Sequence, residues 1–297
     1  LGLASRRAAG AGSLAVVPCD NMPLNGPLVA RALDAYARVI DPELSEWIAE
    51  NIACVSTSVD RITPRMTQSD IATAERLTGW SDLAPVVAEP FSDWVLCGDF
   101  PAGRPAWERA GVRFVDDIEP FERRKLWLLN GAHSVLAYAG LVRGHRTVAE
   151  AIADPECRSS VEALWAAALR HLPSHLDAQS YCDELLVRFA NHRIEHELGQ
   201  VALESVSKLR YRIVPVALAE RAAARSASEC AAAVAAWIVA VQRGLDPSAP
   251  RDDVTDALHS GDPVAALVGV LSPELAADPG FVGEVTVAWE CAAVMRS

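Results

Sequence analysis

Phe121-Glu122-Arg123-Arg124-Lys125-Leu126-Trp127-Leu128-Leu129-Asn130-Gly131-Ala132-His133-Ser134 decides how this chain is read. It opens a long helical tract over about 119–142 that is apolar nearly all round, which marks a buried helix. At 100° per residue Lys125, His133 and Asn130 project at roughly 0°, 80° and 140°, so they share one broad side of the axis. A single polar residue on such a helix is usually a satisfied structural group, and a lysine near a helix start can snorkel to water. Three together cost roughly 1–3 kcal/mol each unless partnered. A substrate is one such partner. A lysine whose pKa burial lowers can act as general base. An asparagine amide can donate to an oxygen that gains charge. A histidine can bind a hydroxyl or tune the lysine.

Upstream of this stretch, residues 1–118 mix strand and helix signals. Ser13–Cys19 is a short apolar run between Gly12 and the Asp20-Asn21 pair, and reads as a buried strand. A helix is expected from about Pro27 to Ile40, and another opens at Pro42 with Asp41 as N-cap. Ala53–Asp60 reads as a second strand, and Thr67–Asp70 can cap a helix through Leu77. Ser92–Cys97 and Val112–Val115 are further strand candidates. Downstream, only helical periodicity appears, over about 119–142, 146–170 (broken near Pro155), 178–189, 191–208, 211–224, 226–243, 251–258, 262–270 and 279–295. Thr147–Glu150 has capping-box spacing. The expected architecture is therefore an α/β part over 1–118 followed by an all-helical domain over 119–297, with the Lys125 helix as the first element across the junction.

Composition limits what such a protein does. The net charge is -12 and no Lys/Arg run provides a basic face, so nucleic acid is not expected as a partner. The seven cysteines are scattered without a C-x-x-C, which fits a reducing, cytoplasmic setting better than a disulfide framework. No apolar run is long enough to span a membrane. The expectation is a small-molecule site in a monomer.

Other constellations carry an everyday reading beside a functional one. Pro18-Cys19-Asp20-Asn21-Met22-Pro23-Leu24-Asn25-Gly26 follows a strand, where open α/β sheets bind ligands, yet Asp, Asn, Pro and Gly also favour a plain turn. Asp60 and Arg61 end another strand. They form either a surface ion pair or a hydroxyl-binding site. Arg188-Phe189-Ala190-Asn191 and Ser207-Lys208 offer Arg188, Asn191 and Lys208, which also suit solvated helix ends. His192-Arg193-Ile194-Glu195-His196 matches H-x-x-E-H, but the pattern is short and lacks a third ligand, so no metal is expected.

Four of these motifs stand in a familiar order: Pro18–Pro23 with Asn25-Gly26, Ser58–Pro64, Lys125…Asn130…His133, and Arg188–Asn191 leading to Ser207-Lys208. The chain resembles the polyol-specific long-chain dehydrogenases, that is, the mannitol 2-dehydrogenase family with the fructuronate and tagaturonate reductases. The resemblance covers nearly the whole chain. It implies metal-independent interconversion of a secondary alcohol in a polyol or sugar acid with its ketone, using NAD or NADP. On that basis Lys125 is the general base, Asn21 and Asn130 form the oxyanion hole, and His133 positions the lysine and binds substrate. Asp60, Asn25, Arg188, Asn191 and Lys208 contact substrate, while Asn21 and Cys19 face the nicotinamide end. Three positions depart from the usual pattern: Ser58 stands for methionine, His192 for proline, and Gln200 for an arginine found in some members. No G-x-G-x-x-G fingerprint is present, so the α/β part is expected to be the remnant of an extended Rossmann-type domain whose nucleotide-binding strands lie upstream of Leu1. Alone, such a fragment is expected to turn over little and to bind NAD weakly. A polyol-phosphate dehydrogenase and a non-catalytic helical scaffold are the competing readings.

Overall fold

The structure, a computed structural model, describes residues 1–248 and 251–294. Met295, where the last expected helix ends, lies outside the described residues. By contacts the chain forms two compact units, one of 1–62 with 89–122 and one of 63–88 with 123–297. The division falls four residues beyond 118, and the segment 63–88 groups with the helical part.

In the first unit, α1 (Gly2–Ala8) leads to β1 (Leu14–Val16), then α2 (Asn25–Ile40), α3 (Pro42–Asn51) and β2 (Ile52–Cys54). β1 and β2 pair in parallel, Leu14 opposite Ile52 and Val16 opposite Cys54, with α2 and α3 as the crossover that parallel pairing requires. Asp41 caps α3 as expected, its side chain accepting from the Glu43 amide at 3.0 Å, with Pro42 in the first turn. The strand expected over Ala53–Asp60 is two strands. Val55, fully buried, separates β2 from β3 (Ser56–Asp60). β3 pairs antiparallel with β4 (Asp93–Cys97), which pairs in parallel with β5 (Arg113–Phe114). A strand signal along the sequence shows that a segment is extended but not that it changes sheets midway.

Gly26 is indispensable where α2 leaves the loop after β1. A Cβ there would lie 2.7 Å from the Ser56 nitrogen and 3.0 Å from the Cys54 carbonyl, both backbone atoms.

The second unit contains α4 (Gln68–Thr78), closed by the expected Thr67–Asp70 capping box. It then runs from α5 (Glu119–Arg124), which straddles the boundary, through a π-helical turn over Lys125–Asn130 into α6 (Gly131–Val142). α6 is central. Gly131 to Tyr138 and Gly140 are all buried. Gly140 lets its neighbours close in, since a Cβ would meet Leu198 at 2.6 Å and Ala151 at 3.0 Å. Around it lie α7 (Val148–Ala153, with the expected Thr147–Glu150 capping box), α8 (Pro155–Leu169), α9 (Ala178–Phe189), α10 (Leu198–Val201), α11 (Ser205–Arg212), α12 (Val214–Ala222) and α13 (Ser228–Gln242). α14 (Asp252–Leu258), α15 (Pro263–Leu271), α16 (Pro273–Ala276) and α17 (Pro279–Val294) follow.

The helix expected over 191–208 does not form. Asn191 turns the chain by accepting the Arg193 amide at 3.1 Å, and Glu204 sits left-handed at φ 57° between α10 and α11. The His192–His196 pattern thus falls in a turn, which removes the i, i+4 helical geometry that a zinc motif needs.

Candidate active site

The π turn is the local peculiarity of the helical unit. The Gly131 amide bonds the Leu126 carbonyl, five residues back, so the turn is wider than an α-turn and the 100° projection does not hold through it. Donors from other helices engage its carbonyls. Trp165 Nε1 bonds the Leu128 oxygen at 2.8 Å, and Arg212 Nη1 bonds the Asn130 oxygen at 3.3 Å. Such turns recur at functional sites. Lys125 is 9 % exposed and His133 5 %, whereas Asn130 is half-buried.

The His133 ring is ringed by the end of α9, the turn after it, and α11. Its centroid is 4.9 Å from that of Phe189 and 4.9 Å from that of His196, the two imidazoles lying edge to face at 81°. Burial, then His196, Arg212, Arg188 and Lys208, hold the His133 pKa well below the usual imidazole range. Burial and Lys208 bring His196 down to about 4. Both rings are therefore neutral near pH 7. Burial, and then Arg212, lowers Lys208, whose Nζ bonds the Val201 carbonyl at 3.1 Å. Burial lowers Arg212 to about 10, and its Nη1 also reaches Ser134 Oγ at 3.2 Å. The structure thus groups His133 with Arg188 and Lys208 as the motifs anticipated. It adds two residues to which sequence reasoning gave no role in the site: Arg212, four residues after Lys208 on α11, and His196. Asn191, half-buried, serves the turn between them.

A cavity of about 360 Å³ in the same unit is lined in part by Arg65, Thr67, Glu195, Glu197, Gln200 and Leu203. His196 lies in the chain between two of these residues, and Gln200 is the position where some family members carry arginine.

In the α/β unit the loop after β1 holds Cys19 and Asn21, both exposed. Burial, then Asp20, raises the Cys19 thiol pKa. The far end of this loop is pinned by Glu122, a residue sequence reasoning passed over. Its buried carboxylate accepts the Leu24 amide at 3.1 Å, with Leu24 left-handed at φ 52°. Asp60 is buried at the end of β3. Asn25 requires a correction. It is fully buried, its amide nitrogen donates to the Thr57 carbonyl at 3.0 Å and the Pro18 carbonyl at 3.3 Å, and its oxygen accepts the Thr57 amide at 2.9 Å. Its hydrogen bonds go to backbone and to the Thr57 hydroxyl, so it ties the loop to β3 and has no group left for substrate.

Among the described residues His145, Asp154 and Cys157 place potential ligand atoms within 4.8 Å of one another. Asp154 caps α8 and also accepts from Arg143 at 2.7 Å, while burial raises the Cys157 thiol to about 11. The arrangement is that of a helix cap with an ion pair.

A parallel β–α–β crossover in one unit, and a buried lysine with an asparagine and a histidine on one helical stretch of the other, give the chain the form of a nucleotide-linked dehydrogenase with a helical substrate domain. It belongs to the mannitol dehydrogenase family: residues 1–109 match the mannitol dehydrogenase Rossmann domain and 117–292 the mannitol dehydrogenase C-terminal domain. The D-mannonate oxidoreductase of Escherichia coli is 33% identical over 302 residues, covering 96% of this chain and 62% of its own. The mannitol 2-dehydrogenase of Aspergillus terreus is 34% identical over 309 residues, covering 98% of this chain and 61% of its own. Among solved structures, Pseudomonas fluorescens mannitol 2-dehydrogenase in ternary complex with NAD and D-mannitol matches with a TM-score of 0.85 at 31% identity, covering 98% of this chain and 62% of that one. The chain thus spans about three fifths of the length of these relatives, and the resemblance drawn from the motifs is borne out. No helix among the described residues is long and apolar enough to cross a membrane.

Proposed function

We propose that the protein carrying this chain is an NAD(P)-dependent oxidoreductase that interconverts a secondary alcohol of a polyol or sugar acid with the corresponding ketone, without a metal. The observation that carries this reading is the buried Lys125, joined through a braced π turn to Asn130 and His133. The residues present fit the nicotinamide end of the cofactor. Val17–Leu24 leaves the carboxyl end of a parallel strand, the usual place for a dinucleotide in such sheets, and Gly26 brings the following helix into backbone contact with β3. A bound nicotinamide accepts hydride in oxidation and returns it in reduction.

The chain's own residues do the rest. Lys125 Nζ takes the hydroxyl proton in oxidation and gives it back in reduction. The Asn130 amide, with Asn21 from the α/β unit, donates to the oxygen as it gains charge. His133, kept neutral, binds substrate and orients the lysine. Asp60, Arg188, Asn191 and Lys208 are the proposed contacts to the remaining hydroxyl or carboxyl groups. In the whole protein, Lys125→Ala lowers turnover by about 10²–10⁴-fold and leaves nucleotide affinity unchanged. Near-normal turnover in that variant sinks the reading. A panel of mannitol, arabinitol, sorbitol, fructuronate and tagaturonate, with both nucleotides, assigns the substrate.

A further inference from the structure

We propose that His133 Nε2 and His196 Nδ1 hold one hydroxyl of the substrate between them, which makes His196 a substrate-binding residue. The inference rests on the reading above and deepens it. These two nitrogens are both buried, and both lack a hydrogen-bond partner. Orphaned buried polar atoms are rare because each carries the full cost of its lost hydration. Here two sit on adjoining rings, with centroids 4.9 Å apart and the planes edge to face.

The chemistry of the pair selects what it binds. A neutral imidazole has one N–H donor and one bare nitrogen acceptor. The orphaned nitrogens of two neutral rings can therefore present one of each. A hydroxyl, which accepts one hydrogen bond and donates another, satisfies both. A carboxylate oxygen can only accept, so it satisfies one. The low pKa values of both rings agree with this neutral pairing. Arg188, Arg212 and Lys208 act on the same ring and are donors only, with Glu204 and Asp246 acting on Lys208 in turn. Such surroundings resist protonation of either imidazole. Phe189 closes the apolar side of His133.

The test uses the whole protein and reads binding by calorimetry for mannitol, arabinitol and sorbitol and their monodeoxy analogues. Turnover with NAD and NADP is measured in parallel. For the best-bound polyol, wild type loses at least tenfold in affinity for the one analogue lacking the bridged hydroxyl. His196→Phe keeps a flat ring and its melting temperature. It binds the parent at least tenfold more weakly and no longer distinguishes that analogue from it. His196→Gln, which can still donate and accept, recovers part of the discrimination. Unchanged parent affinity in His196→Phe, or discrimination that persists in it, overturns the proposal and assigns the two nitrogens to a bridging water. Failure of wild type to bind any polyol overturns it as well. Binding with the expected discrimination but no oxidation by either nucleotide overturns the dehydrogenase reading and leaves the pair standing.

Discussion

Arg212 Nη1 reaches the Asn130 carbonyl at 3.3 Å, so a cation on α11 braces the end of the π turn that begins at Lys125. Burial lowers the Arg212 pKa to about 10, which means its charge is held there at some cost. A buried charge kept at a cost in stability is expected to serve something other than stability. Arg212→Met should therefore leave the fold nearly as stable, within about 1 kcal/mol, a melting shift of no more than about 4 °C. Turnover should fall by an order of magnitude or more as Asn130 loses its brace. Calorimetric melting and steady-state kinetics on one preparation check both halves; a large melting loss with normal turnover would make Arg212 purely structural.

Asn25 gives the opposite pattern. Its side chain bonds the backbone at Pro18 and Thr57 from a fully buried position. Asn25→Ala leaves the buried Thr57 amide without its partner, a loss of about 1–3 kcal/mol. The melting temperature should drop, with KM changing no more than kcat does. A selective rise in KM would restore Asn25 to the substrate set.

Buried groups shape the acid limb of stability, His196 and Glu220 among them. His196 is lowered from an ordinary 6.5 to about 4, so on acidification the unfolded chain takes up its proton first, and stability falls between about pH 6.5 and 4. Glu220, its side chain fully buried, is bonded by Arg170, His171 and Arg225. It is lowered from 4.5 to about 2, for although burial works to raise it, the bonds from these partners together outweigh that. Its contribution is present above about pH 4.5 and is lost as pH falls toward 2. Glu220→Gln should lower stability at pH 7 by roughly 1.5–3 kcal/mol, with the deficit closing toward pH 2. Denaturant melts from pH 7 to pH 2 measure it, and a deficit independent of pH would refute the assignment.

Gly26→Ala forces a methyl carbon to within 2.7 Å of the Ser56 nitrogen. Backbone cannot yield as a flexible side chain does, and overpacking of this kind costs about 1–3 kcal/mol. Because Gly26 directly follows Asn25, the loop bearing Asn21 should shift as well. Nucleotide affinity and melting temperature should fall together.

Much of this was legible in the residues. Capping boxes at Thr67 and Thr147, Pro42 behind Asp41, and the nearly all-apolar α6 are local patterns that local structure obeys. The Lys125–Asn130–His133 set was visible because polar residues stand out on an apolar helix. What escaped depended on distant partners. Nothing in Ala53–Asp60 announces that β2 pairs with β1 and β3 with β4, since both pairings are made with segments distant in the chain. The periodicity over 191–208 was real but was outvoted by the Asn191 turn and the left-handed Glu204. His196 was given no role, because its short H-x-x-E-H pattern was rightly set aside and its position beside His133 is decided by a chain reversal that periodicity does not encode.

The π turn carries one residue more than an α-helical turn would hold over the same span. Removing a single residue between Leu126 and Leu129 would let an ordinary helix close over the same span, with the flanking turns kept close to their present phase. The extra residue therefore re-aims only the side chains within the turn that ends at Asn130. Within such a scaffold, single-codon insertions and deletions are a route to re-aiming Asn130 against its flanking turns that point substitutions do not offer.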